Sequence, residues 1–334
     1  MEPAVVRASK LVLQLLRRQE LARRRQDTDE PPLRAPLSIL EPFLSCGATS
    51  GSPQAVRWSD NQGQTWSEAS YVTATTHGTQ NSQPMVMKNG MIVDTYYDYG
   101  AGGHAPDVTP GAVSDNPRLA AAAAAAGASP AVVDATGPIY ASGSSDGGKT
   151  WQQLGEVTNN GSGYAPGVRC CLFAADIDPA NQRLYVAWLG GGPGNTDPVL
   201  VSSSKDGRLW SSPVRVSQGD VNGVQRVNVD VVANAGAVYV SYGTRTDAGS
   251  HGGFVQQQLS VSSDRGLSFA SPMSIGPLSV LQYAAQSRGY FPGDYIGSAL
   301  TRGRLYVVWS LSTPPPASST SPYHQVIDGA TLRP

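Results

Sequence analysis

A short pattern, Ser-x-Asp-x-Gly-x-Thr-Trp, returns four times along the 334-residue chain, each time between two runs of strand-forming residues. The fullest copy is Ser144, Asp146, Gly148, Thr150 and Trp151. Ser59, Asn61, Gly63, Thr65 and Trp66 repeat it with Asn for Asp, and Ser262, Asp264, Gly266, Ser268 and Phe269 repeat it with conservative changes of hydroxyl and aromatic. A fourth copy aligns on Ser203, Gly207 and Trp210, with its acid, Asp206, one place late. The closing aromatics stand at 66, 151, 210 and 269, in steps of 85, 59 and 59 residues, and two equal steps in succession mark a structural period. The residue types suit a hairpin turn: the Asp or Asn side chain accepts from backbone amides of its own turn, Gly supplies a positive φ, and the aromatic packs beneath. These residues are expected to build the turn rather than to perform chemistry.

A second pattern runs in step with the first. Ile92 to Tyr97, Leu184 to Trp188, Val238 to Tyr242 and Leu305 to Trp309 are β-branched and aromatic runs, each preceded by a shorter strand and a turn; Asp176-Ile177-Asp178-Pro179 and Asn228-Val229-Asp230 belong to those preceding strands. The unit reads strand, turn, Tyr-Val-Ala-Trp-like strand, loop, strand, Asp-containing turn, strand. Four antiparallel strands recurring at this spacing are the signature of a propeller blade. Residues 83–158, 172–217 and 226–275 hold four strands each, 292–332 three, and 52–73 only an outer pair, which makes five recognisable units.

The repeated turns resemble Asp-boxes, also called BNR repeats, and their alternation with Tyr-Val-Ala-Trp strands resembles the sialidase (neuraminidase) superfamily of β-propellers. Gly293-Asp294-Tyr295-Ile296-Gly297 followed by Gly303-Arg304-Leu305-Tyr306-Val307-Val308-Trp309 is similar to the last blade of bacterial proteins with these repeats. The resemblance covers about residues 50–332 and implies an all-β, sialidase-like propeller of six blades, so that a sixth unit falls within 33–50 or the ring is incomplete. It also implies a secreted or cell-surface protein. The same turns occur in non-catalytic proteins and in unrelated glycosidases, so the resemblance is specific for fold and much less so for activity.

Composition agrees with one large domain, 46–334, preceded by a segment, 1–45, outside the repeat. With 40% hydrophobic and 15% charged residues the chain can bury a sizeable core, and 37 Gly with 25 Pro suit a turn-rich all-β protein. The formal charge of −1 hides an asymmetry: Arg7, Lys10, Arg17, Arg18, Arg23, Arg24 and Arg25 stand against only Glu2 and Glu20 within the first 26 residues, and the remainder is acidic. No basic face for nucleic acid is expected on the propeller. Val5 to Leu21 has an amphipathic helical pattern, but Lys10 and Arg17 bracket an apolar stretch of six residues that includes Gln14, a poor signal peptide. This leader reads either as a membrane-surface or partner helix or as a replaced or misassigned start. No stretch is long enough to span a membrane as a helix. Within 99–137, Ala120 to Ala126 lies between Pro117 and Pro130, an insertion that reads as a lid or a disordered excursion.

In such a blade the Asp-box turns lie on one face, and the loops between strands 2 and 3 and from strand 4 to the next blade lie on the other. The functional face is therefore expected to collect Gln83, Arg169, Arg226, Tyr290, Asp294 and Tyr295 at the mouths of the inner strands, with His104, Asp107, Asp197, Arg245, Asp247 and His251 on loops around them. Arg169, Arg226 and Arg245 read as successive-unit positions that could converge on an anionic sugar with Tyr290 and Tyr295 as stacking walls, or pair locally with aspartates. Sialidases, as the resemblance implies, use three Arg for the substrate carboxylate, a Tyr nucleophile activated by Glu, and an Asp acid/base. Here Glu occurs only at 2, 20, 30, 41, 68 and 156, so the usual Tyr–Glu couple has no place. Asp294 and Tyr295 remain as catalytic candidates; equally, Asp294 can be a conformational residue of a Gly-Asp turn.

Cys170 and Cys171 are adjacent at the start of an inner strand and Cys46 is remote, which reads as separate thiols or as a vicinal disulfide, not as a disulfide scaffold. The four His residues, His77, His104, His251 and His324, lack zinc spacing, and neither metal nor cofactor is expected. The favoured reading is carbohydrate recognition, acidic glycans included, through an Arg/Tyr-lined face. The alternatives are an exo-glycosidase of sialidase type, a propeller that binds a protein partner, and an intracellular scaffold, the last resting only on the poor signal peptide.

Overall fold

The computed structural model describes residues 53–59, 61, 63–101, 137–161, 168, 172–191, 197–219, 224–246, 252–286 and 289–333. The Val5–Leu21 pattern, a unit at 33–50, the Ala120–Ala126 run and the three cysteines lie outside the described residues. The described part is all β apart from one 3-10 turn, and none of its helices is long and apolar enough to cross a membrane.

Three sheets are four-stranded antiparallel meanders. The first holds β3 (His77–Val86), β4 (Ile92–Ala101), β5 (Ile139–Ser144) and β6 (Gln152–Thr158); a two-stranded ribbon, β1 (Ala55–Val56) and β2 (Ser70–Tyr71), precedes it. The second sheet holds β7 (Ala174–Ile177), β8 (Leu184–Leu189), β9 (Val199–Ser204) and β10 (Val214–Arg215). The third holds β11 (Gln225–Asn234), β12 (Ala237–Thr246), β13 (Phe254–Ser262) and β14 (Met273–Val280). A second ribbon, β15 (Ala285–Gln286) and β16 (Tyr290–Phe291), leads to a three-stranded sheet of β17 (Gly297–Thr301), β18 (Arg304–Ser312) and β19 (Gln325–Leu332). The strand counts follow the sequence reading; the β15–β16 ribbon, too short to show a period, was not legible in it. The first strand of each sheet packs beside the first strand of the next, β3 on β7, β7 on β11 and β11 on β17, so the sheets fan outward from their inner edges.

Apolar layers fill the wedges between sheets. Val93, Tyr97, Phe173, Val186 and Trp188 join the first sheet to the second; Tyr185, Ala187, Val229, Val240 and Tyr242 join the second to the third; Val232, Tyr239, Ile296, Val307 and Trp309 join the third to the last. Two asparagines add polar cross-links. Asn81 and Asn228 have φ of 59° and 51° and sit at register shifts in β3 and β11. Asn tolerates this left-handed geometry better than most residues, and the resulting bulge turns its side chain out of the ladder. Asn81 Nδ2 donates to the Phe173 carbonyl (2.7 Å) and Asn228 Nδ2 to the Gly293 carbonyl (3.0 Å), each on the segment entering the next sheet. At the opposite end, Asp178 accepts from the amides of Ala235 (3.0 Å) and Gly236 (2.7 Å), tying the β7–β8 turn to the β11–β12 turn.

The repeated turns share one hydrogen-bond scheme. Asp146 Oδ1 accepts from the Lys149 and Thr150 amides (both 3.0 Å), while Ser144 Oγ donates to Asp146 (2.8 Å) and accepts from the Gly148 amide (2.8 Å). Asp264 and Ser262 repeat this with the amides of Leu267, Ser268 and Gly266. Asn61 accepts from the Thr65 amide and Ser59 from the Gly63 amide. In the fourth copy the serine is Ser204, not Ser203: Ser204 Oγ donates to Asp206 (3.2 Å) and accepts from the Gly207 amide (2.9 Å). Asp206 thus keeps its offset from the serine, and the turn is one residue shorter between acid and glycine. Ser203 instead accepts from Arg183 Nη1 (3.0 Å). Trp151 and Trp210 close their turns by donating Nε1–H to the carbonyls of Gly148 and Gly207 (3.0 Å each). These bonds hold the carboxyls of Asp146 and Asp264 well below the ordinary value of 3.8, with Thr150 and Ser262 as the largest causes. A depressed folded pKa adds stability that is present above 3.8 and lost as pH falls further.

One buried carboxyl runs the other way. Asp94 occupies the position in its strand where β8, β12 and β18 carry Val186, Val240 and Val307, all fully buried. Burial pushes it up to about 7, against hydrogen bonds from Ser82 Oγ (2.7 and 2.9 Å) and backbone amides. The folded chain therefore holds this proton between pH 3.8 and about 7 while the unfolded chain does not, and stability falls as pH rises through that window. Asp94→Val should raise stability at pH 8 by up to about 4 kcal/mol and remove this part of the pH dependence. Urea unfolding of both proteins at pH 5 and pH 8 measures it. Ser144→Ala, which strips the Gly148 amide and Asp146 of a partner, should cost about 1–2 kcal/mol in the same assay.

Candidate functional site

Strand register fixes which end of the sheets is available for a site. Val238 is paired with Ser262 at the turn end of the third sheet, and Thr246 with Phe254 at the other. Arg245 thus lies one residue from the mouth opposite the repeated turns. Gln225 faces it across β11–β12, and Arg226 pairs with Thr244. Directly paired residues share a face and successive residues alternate, so Arg226 and Arg245 leave the same sheet on opposite faces. They belong to one unit, not to successive ones, and only Arg245 is directed toward the last sheet.

Both arginines are buried, at 1% and 3% exposure, which requires their charge to be held by polar groups. Arg226 Nη2 donates to the Gln218 carbonyl (2.9 Å), and its guanidinium stands 5.9 Å from the centre of the Tyr242 ring. Arg245 Nε donates to the Gly252 carbonyl and Nη1 to Gln225 Oε1, each at 2.8 Å. Burial pushes the Arg245 guanidinium down to about 10, partly offset by the Tyr290 phenol beside it, so it stays cationic at neutral pH. Gly252 makes this approach possible: its φ is 76°, and a Cβ there would lie 2.4 Å from Tyr290 Cε2.

Tyr290 lies on β16 and is buried with Val168, Val255, Leu281 and Ala284. It forms a parallel bridge with Val168, so the segment between the first two sheets meets the segment between the third and the last at this mouth. Arg169 follows Val168 and lies outside the described residues, as do His104, Asp107, Asp247 and His251. Asp294 and Tyr295 are half-buried on the loop before β17, whose Gly293 carbonyl is held by Asn228. Gln83 is not at a mouth: β3 starts at His77, which puts Gln83 in mid-strand opposite Thr95, donating to Asn81 Oδ1 (3.1 Å).

At the mouth of the first sheet lies a pair that sequence spacing does not reveal. His77 Nδ1 is 3.0 and 2.9 Å from the two oxygens of Asp98, and Asp98 also accepts from the Gly100 amide (2.8 Å). The His is one-third exposed and its carboxylate partner nearly covered, an arrangement able to orient an imidazole for proton transfer. The bulges in β3 bring the two across the ladder, and nothing in the separate motifs signals them. Nearby, Tyr97 meets Phe173 edge to face at 4.9 Å and stacks on Tyr99 at 6.1 Å. Burial raises the phenols of Tyr97 and Tyr99 far above neutral and that of Tyr96 to about 12, so these three stay protonated at neutral pH. Among the described residues, no three His, Cys, Asp or Glu side chains gather as a metal site.

The chain matches no protein-family model and no curated protein sequence. Solved structures do resemble it. A protein of unknown function from Dyadobacter fermentans is 16% identical with a TM-score of 0.47 over 92% of this chain and 76% of that one. The GH93 α-L-arabinofuranosidase of Fusarium graminearum, solved with arabinobiose, is 13% identical with a TM-score of 0.45 over 79% and 66%. An ulvan lyase from a new polysaccharide lyase family is 10% identical with a TM-score of 0.48 over 90% and 67%. Likeness at this level transfers no activity.

Gly252→Ala tests the Arg245–Tyr290 contact. Its Cβ strains the backbone and displaces the ring, so in chemical denaturation it is expected to lose about 1–2 kcal/mol more than Gly219→Ala, a control at an open positive-φ site that carries the backbone strain alone.

Proposed function

We propose that the chain is a sialidase-like, Asp-box β-propeller whose sheets form part of a closed ring and which recognises carbohydrate on the face opposite its repeated turns, acting outside the cell or at its surface. The observation that carries this reading is Arg245, a buried cation fixed by Gln225 and Gly252 beside the Tyr290 phenol at the mouth. A guanidinium ordered in advance costs little further entropy on meeting a carboxylate or a hydroxyl-rich ring, and a Tyr beside it supplies an amphipathic wall. Acidic glycans fit this cation best. Asp294 and Tyr295 complete the proposed ligand face from the loop before β17, with Arg169 as a further cation.

The absence of any Glu after position 156 favours recognition over hydrolysis by a Tyr–Glu couple. A second reading, an exo-glycosidase acting on terminal sugars, is favoured by a different observation: the His77–Asp98 pair provides a group for proton transfer on the same side of the sheets. Catalysis would then use that pair or Asp294 as acid and base.

Incubation of the full chain with a panel of acidic and neutral glycans, followed by mass spectrometry of retained and shortened sugars, separates the readings. Retention without cleavage is expected. Release of a terminal monosaccharide would select the hydrolase, and the absence of both retention and release would remove carbohydrate from the proposal. Arg245→Ala should weaken retention at least about tenfold, worth 1.4 kcal/mol, with unchanged circular dichroism, whereas Lys205→Ala at the turn end should leave it unaltered.

A further inference from the structure

The seam between the third and last sheets contains a small cavity lined by both apolar and polar side chains. Its volume is about 20 Å³, enough for one water, and its walls include Asn228, Gln257, Ser279, Trp309 and Ser310. Three of these residues each carry a buried polar atom with no hydrogen-bond partner: Asn228 Oδ1, Gln257 Nε2 and Trp309 Nε1. Burying an amide or indole group without a partner costs enough that natural structures rarely leave three around one space.

Comparison with the first bulge explains why the need arises here. Asn81 and Asn228 play the same part, each donating through Nδ2 to the next segment's carbonyl. At Asn81 the remaining Oδ1 accepts from Gln83, two residues on. The residue two places after Asn228 is Asp230, and no hydrogen bond joins it to Asn228 Oδ1. Asn228 Oδ1 therefore needs a donor from elsewhere, while Gln257 and Trp309 bring two donors that need an acceptor. Water fits both requirements at once: it donates one proton to Asn228 Oδ1 and accepts from the other two. A chloride would accept from the donors but leave the carbonyl unmatched, and an ammonium would do the reverse.

We propose that this cavity is a built site for one internal water, which joins the β11 bulge to Gln257 of β13 and Trp309 of β18. The water also lies beside Pro292 and Ile296, at the base of the loop that carries Asp294 and Tyr295, and so helps to set that loop's position. The inference is independent of what the protein binds. Gly276 belongs to the same construction: a Cβ there would lie 2.2 Å from Trp309 Cζ2, so only glycine lets the indole enter the seam.

A crystal structure of the full chain at a resolution that shows ordered waters should place one solvent atom within hydrogen-bonding distance of all three groups. A double-mutant cycle supplies the second readout. Gln257→Met and Trp309→Phe should each lower Tm by about 2–4 °C, and the pair should lose less than the sum, because a water deprived of one donor is already weakly held. Density for one water with sub-additive losses is the expected result. A dry cavity, an ion in its place, or additive losses would overturn the proposal.

Discussion

Placing the first strands of successive sheets side by side forces polar backbone and side-chain groups into a buried interior, and the rest of the fold depends on how they are paired. The asparagine bulges supply the main device. A left-handed residue inside a strand interrupts the ladder, shifts the side-chain alternation by one, and frees an amide to bond the segment entering the next sheet. The cross-link and the parity change come together. After Asn228 the side chains of Val229 and Val231 face the second sheet, whereas before it Gln225 shares the Arg245 face.

The ends of the sheets divide the work. At one end, Ser–Asp turns and Asp178 satisfy amides locally, and the backbone that Asp146 and Asp264 organise holds those two carboxyls ionised. At the other, the groups are cationic or aromatic and come from different sheets: Arg245 and Gln225 from the third, Tyr290 from the ribbon before the last, His77 and Asp98 from the first. Acids committed to turns are unavailable for chemistry. Asp94 belongs to neither end; its place among valines and its raised pKa make it a pH-dependent element of the core.

The repeat in the sequence located the hairpins because turn chemistry is local: five or six residues contain the donor, the acceptor and the glycine. It failed at Ser203, where a one-residue shortening left two adjacent serines, and only the hydrogen bonds identify Ser204 as the turn residue. Arg226 and Arg245 were legible as candidates by residue type. Their placement on one sheet and opposite faces was not, because it depends on which strands pair and in what register. His77 and Asp98 were invisible for the same reason, being 3 Å apart across a ladder whose bulges no periodicity encodes.

By itself, then, the sequence determined the all-β class, the strand counts of the three meanders and of the three-stranded sheet, most of the residues that build the turns, and the absence of Glu after position 156. Those follow from composition, period and short-range hydrogen bonding, which act within a few residues of chain. The tertiary structure alone decided which side chains meet at the mouth, that Gly252 and Gly276 must lack a Cβ, and that Asn228, Gln257 and Trp309 border one small cavity. Such juxtapositions arise from long-range strand pairing and sheet packing, where a shift of one residue in register exchanges one face for the other.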